Sequence, residues 1–211
     1  MVSENINIRI KFEKTGKLQF ISHLDLCRTM KAAMIRARIP IWYSEGFNPH
    51  PKMIFALPLS IGAESICEYM DIKITEDLKP EFILKQLNEV TTNELNITDV
   101  YTPVMKFNDI AWAEYIIEFN VSDIKDAGCM FAGPFTIMKR SKTGEKETDI
   151  IPLISRYDIT DGIIKVLLSA ESSSYLNPEY IAAAVSEKFD IPDYRIIRIN
   201  LYLKDGITIF R

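Results

Sequence analysis

Histidine and cysteine are the scarce residues here, two of the first and three of the second in 211 positions. Cys27, Cys67 and Cys129 stand far apart and odd in number, with no CxxC or CxxxCxxC between them. A disulfide framework needs paired cysteines, and a zinc or iron–sulfur site needs closely spaced ligands. No metal is therefore expected on this chain, and each cysteine reads as a small buried apolar residue. No apolar run approaches the roughly 20 residues of a membrane span. The opening "MVSENINIRIKFEK" also lacks the apolar core of a signal peptide. These absences point to the cytoplasm and away from the membrane.

Apolar residues make up 47 % and charged residues 26 % of the chain, the balance of a folded globular protein. The length suits one large domain or two small ones. A net charge of −4 argues against general affinity for nucleic acid, but the charge is uneven. Residues 1–62 hold nine basic side chains against four acidic ones, a local +5 that leaves −9 on the remainder. Such a region can form an anion-binding face on an acidic protein.

"INIRIKFEK" alternates Ile6, Ile8, Ile10 and Phe12 with polar residues, which predicts a half-buried strand that turns at "KTGK" and resumes at "LQFI". Ser22 is placed to cap a helix running to about Arg38, with Asp25 three residues on and Ile21 and Leu26 set for a staple. Cys27, Met30, Met34 and Ala37 share its apolar face, and Pro40 ends it. "IPIWYS" reads as a second strand and "KMIFALPL" as a third, resumed at "CEYMDIKI". "KPEFILKQLNEV" is a helix with Pro80 in its first turn, and "LNITDVYTPV" is a fourth strand. The order β-α-β-β-α-β predicts an α+β fold of the ferredoxin-like split βαβ kind over residues 1–107. Residues 108–211 read as a second, degraded ferredoxin-like α+β half with a short or absent first helix. Its strands are "AEYIIEFNV", "GPFTIMKRSK", "GIIKVLLSA" and "YRIIRINLYLK", with "TGEKETD" as a turn and a helix over "PEYIAAAVSEKF" opened by Asn177–Pro178.

The segment "YSEGFNPHPK" belongs to no helix or strand by composition. Gly46 permits positive φ, Asn48 tolerates it, and Pro49 and Pro51 stiffen what lies between them. His50 and Lys52 are therefore expected to be held in place. The other histidine, His23, falls on the apolar side of the first helix at its open end. In the split βαβ topology both segments should share one rim of the sheet, which would bring His23, Asp25 and His50 together.

Three blocks, "K-TG-L-FISHLDL-R", "YS-GFNPHPK" and "LPL-IG-ES--EY-D", with a weaker match at "KETDIIPLI", closely resemble the radical-SAM-linked domain of unknown function. That is a bacterial module fused behind a radical SAM enzyme or standing as a separate chain beside one. The resemblance implies a standalone form whose radical SAM partner carries the iron–sulfur cluster and SAM, with no cofactor on this chain alone. It supplies no activity. Three readings follow. The first is an accessory, non-catalytic module that presents a substrate, with RNA as a candidate. Its substrate-binding candidates are His23, Asp25, Arg28, Ser44, Gly46, Phe47, Asn48, His50 and Lys52, with Lys14 and Lys17 as phosphate contacts. The second is an enzyme using His23, Asp25 and His50 as an acid–base or metal set. The third is a purely structural docking subunit.

Overall fold

The computed structural model describes residues 5–121, 124–141 and 144–211. The first four residues, and Lys142 and Thr143 at the junction of an expected strand and turn, lie outside the described residues. The protein is a mixed α+β chain with three α-helices among the described residues. It divides into two compact units, Met1–Phe107 together with Arg211, and Asn108–Phe210. No helix among the described residues is long and apolar enough to cross a membrane.

In the first unit β1 (Ile6–Lys14) lies between β4 (Ile97–Tyr101) and β3 (Ala63–Ile74), and β2 (Met53–Phe55) pairs with β3. These pairings are all antiparallel, and the order is β4-β1-β3-β2. Ile8, Ile10 and Phe12 of β1 and Met70, Ile72 and Ile74 of β3 face one side of the sheet. They enter a single core with Met30, Ala33 and Met34 of α1 (His23–Arg36) and Ile83 and Leu87 of α2 (Pro80–Asn88). Ser22 caps α1 as its sequence position predicts: its hydroxyl accepts from the Asp25 N–H at 3.1 Å and donates to the Asp25 carboxylate at 2.7 Å. The helix closes before Pro40. Arg38 takes a left-handed φ of 54°, and the Ile39 N–H reaches back to the Met34 carbonyl oxygen, a Schellman-type end that usually employs glycine.

Two expectations for this unit change. "LQFI" does not resume the strand. Gly16, at φ 56°, turns the chain into a short 3-10 segment, Gly16–Phe20, held where the Lys17 N–H donates to the Glu94 carboxylate. "IPIWYS" contributes only bridges, Ile41 to Ile74 and Tyr43 to Pro51. The second strand begins at Met53, so the loop comes before β2 instead of joining β2 to β3.

In the second unit β5 (Trp112–Phe119) lies between β10 (Tyr194–Tyr202) and β9 (Ile163–Ser169), with β8 (Ile154–Thr160) beyond β9. The order β10-β5-β9-β8 repeats the permutation of the first unit. α3 (Glu179–Phe189) precedes the last strand and buries Ile181, Ala182 and Val185. Pro178 takes the cap position itself, while the Asn177 side chain accepts from the Glu179 N–H. Where the first unit has α1, this one has a 3-10 segment, Lys125–Met130, and a hairpin of β6 (Thr136–Ser141) with β7 (Gly144–Asp149). From Gly144 onward the expected turn "TGEKETD" is instead the strand β7. A strand without an apolar alternation gives no period-2 signal.

Candidate functional site

The loop "YSEGFNPHPK" is closed at its foot by its own side chains. The Ser44 N–H donates to the His50 carbonyl oxygen at 2.9 Å, and the His50 N–H donates to the Ser44 hydroxyl at 3.1 Å. The His50 ring completes the clasp, with Nδ1 2.9 Å from Ser44 Oγ and 3.3 Å from the Asn48 carbonyl oxygen. Nε2 is the ring nitrogen left for a ligand. Gly46 adopts φ 114° with open space where a Cβ would stand, so the backbone angle, not crowding, demands glycine. Asn48 keeps an ordinary negative φ. Beyond the clasp Phe47 is fully exposed.

The start of α1 forms a second group. The His23 ring meets Phe55 edge-on at 5.1 Å, Phe55 meets Phe12 at 6.3 Å, and His23 Nε2 lies 3.5 Å from Cys27 Sγ. Burial pushes the Cys27 thiol above its ordinary range, which disfavours the thiolate. The expected full burial of Cys27 is only partial. The Ser22 hydroxyl and then the Arg28 guanidinium hold the Asp25 carboxyl below the usual carboxylate range. The Asp25–Arg28 pair at 3.1 Å is exposed on both sides. Phe20, Leu24 and Ile61 are each more than half exposed, and the Gly62 N–H donates to the Gln19 carbonyl oxygen, which ties the segment after Ile61 to the 3-10 segment before α1.

Strand register alters the expected convergence. β1 and β2 both run antiparallel to β3 and hence parallel to each other. α1 follows the end of β1, whereas the clasped loop precedes the start of β2. The described contacts join neither histidine to the other. Among the described residues no group of three His, Cys, Asp or Glu side chains is placed to hold a metal ion. Lys17 is exposed, but Lys14 is only 2 % exposed, with its ammonium on the Gln19 carbonyl oxygen at 3.3 Å. A phosphate in solvent does not meet Lys14.

Lys52 points elsewhere. With Ile54 it faces the side of the sheet away from the helices and lines a cavity of about 340 Å³ with Arg9, Asp71, Lys73 and the segment 103–107. Arg9 is 1 % exposed. Its guanidinium makes two bonds to Asp71, at 2.7 and 2.8 Å, donates to the Arg211 carbonyl oxygen, and lies over the Phe107 ring at 4.4 Å. Sequence reading missed this group. Arg9 stands between Ile8 and Ile10 and reads as a solvent-facing strand residue. The one available signal was that Arg9 and Lys11 share a face with Lys52 only if β2 starts after the loop.

These features define a two-unit α+β protein with a clasped surface loop and a basic cavity at its foot. Residues 7–178 match the family described as an uncharacterized protein conserved in bacteria (DUF2344), and the chain belongs to that family. No curated protein matches it.

Proposed function

We propose that this protein is an accessory binding module that works in the cytoplasm with a radical SAM protein and presents a substrate to it, RNA being the candidate. The observation that carries the reading is Phe47, fully exposed at the tip of a loop whose foot is locked by Ser44 and His50. Exposing a large aromatic is unfavourable by about 2 kcal/mol relative to burying it, which is sensible where a base or another flat group stacks on it. His50 Nε2 then supplies a polar contact beside that ring. The strand orders β4-β1-β3-β2 and β10-β5-β9-β8 support reading each unit as ferredoxin-like, the second without its first helix. The resemblance in the three sequence blocks supports the radical SAM partnership, in which the partner carries the cluster and SAM.

A crosslinking pull-down from native extract, with and without nuclease, tests this. The expected result is recovery of a radical SAM protein by the wild-type chain, with RNA removable by nuclease. Phe47→Ala should lose the RNA and keep the protein. Recovery of no radical SAM protein would refute the partnership, and RNA unaffected by Phe47→Ala would refute the loop's role.

A docking role has its own support in Phe20, Leu24 and Ile61, an apolar group beside the start of α1. Loss of the radical SAM protein on Leu24→Asp, with RNA binding intact, would assign docking to that group.

A further inference from the structure

We infer that the cavity beneath the clasped loop is a binding site for a phosphate monoester of mononucleotide size. This site does not depend on the RNA reading or on the radical SAM partner. Its volume, about 340 Å³, falls within the ~300–1,000 Å³ of small-molecule sites. Its charge is one-sided. Asp71 is the sole carboxylate among the lining residues, and its two oxygens are taken by Arg9. Lys52, Lys73 and Lys106 also line the space.

Strand geometry brings these groups together. Ile54, Asp71 and Arg9 form one cross-strand row, and Lys73 pairs with Asn7 in the next. The Trp42 N–H donates to the Lys73 carbonyl oxygen, and the Lys73 ammonium lies 5.7 Å from the centre of the Trp42 ring. The Lys52 N–H donates to the Trp42 carbonyl oxygen. Both lysines are thus tied through Trp42 to the foot of the loop.

Several point charges around one space suit a dianion better than a singly charged carboxylate, and ammonium groups bind phosphate as point charges. Ile54, Val104 and Met105 supply an apolar wall, with Val104 91 % exposed. A ligand that uses both parts carries a phosphate and a flat or apolar body.

Calorimetric titration of the full chain at low salt, using adenosine 5′-monophosphate, adenosine, inorganic phosphate and acetate as separate probes, tests the site. The expected result is saturable binding of the monophosphate that weakens with added salt. Affinity should fall at least tenfold in the double variant Lys52→Gln, Lys73→Gln. Lys52 is exposed, so Lys52→Glu alone provides a variant whose folding is not at stake, and it should also weaken binding. Absence of saturable monophosphate binding overturns the proposal, as does an affinity unmoved by Lys52→Glu. Adenosine binding as well as its monophosphate removes the phosphate, and inorganic phosphate or acetate binding as well as the monophosphate removes the organic body. Either result also overturns the proposal.

Discussion

Each unit buries a charge on its first strand, and the two charges are treated oppositely. In the first unit a cation, Arg9, is met by one carboxylate, an aromatic face and a backbone oxygen, with a cavity alongside. In the second an anion, Glu114, is surrounded by donors. Asn200 and Tyr202 donate to one oxygen at 3.0 and 2.8 Å, and Lys165 and Arg156 approach the other at 3.3 and 3.6 Å. Burial alone would raise the Glu114 carboxyl, but these hydrogen bonds together outweigh it and hold it below its ordinary value. The second cluster is saturated and structural, whereas the first leaves its lysines beside open volume. The same strand permutation thus supports a closed polar core in one unit and a buried ion pair beside an open cavity in the other.

The largest expected effect comes from Arg9→Met, which strands Asp71 without its partner. Urea unfolding should show a loss of about 3–5 kcal/mol. Glu114→Gln should cost less, about 2–3 kcal/mol, because the shape is kept while an amide N–H₂ faces donors. If Glu114→Gln proves costlier, the view of Arg9 as the more precarious charge is wrong.

Acid should separate the clusters further. Glu114 has a depressed folded-state pKa, so its stabilising contribution is complete above the ordinary carboxylate value of 4.5. It is lost as pH falls through the lower folded value. Urea midpoints between pH 6 and pH 3 should therefore fall more steeply for wild type than for Glu114→Gln, and parallel curves would discount this linkage.

Three smaller effects belong to the first unit. Gly46→Ala should cost about 1–2 kcal/mol through its positive φ, while Phe47→Ala should stay within about 0.5 kcal/mol. Arg38→Gly should stabilise by about 0.5–1 kcal/mol, since Arg38 holds a left-handed position at the end of α1. A thermal melt would register the gain, and an unchanged midpoint would show that the Arg38 side chain makes up for its backbone.

What could be read in advance divides along the same physical line. The β1 alternation, the Ser22 cap and the Pro80 turn are local signals, and each stands where its residues place it. The loop was recognisable by composition, but its place in the topology was not, because "IPIWYS" has strand-like residues without strand partners. Lys14 and Arg9 show the deeper difficulty. Period-2 alternation says which residues share a face, not whether something covers the second face. Arg9 reads as solvent-facing by that alternation, whereas Lys14 falls in step with Ile10 and Phe12 and follows a register shift; both are buried. The cavity is assembled from β1, β2, β3 and residues 103–107, a grouping no single stretch of sequence displays.

The Ser44–His50 clasp has a kinetic consequence. A slack ten-residue loop would have to lose its freedom at the moment a ligand arrives, slowing productive encounters and weakening each contact. Here that freedom is already gone once the chain has folded. Under the proposed stacking role of Phe47, different ligands should consequently arrive at similar speeds and differ mainly in how long they stay.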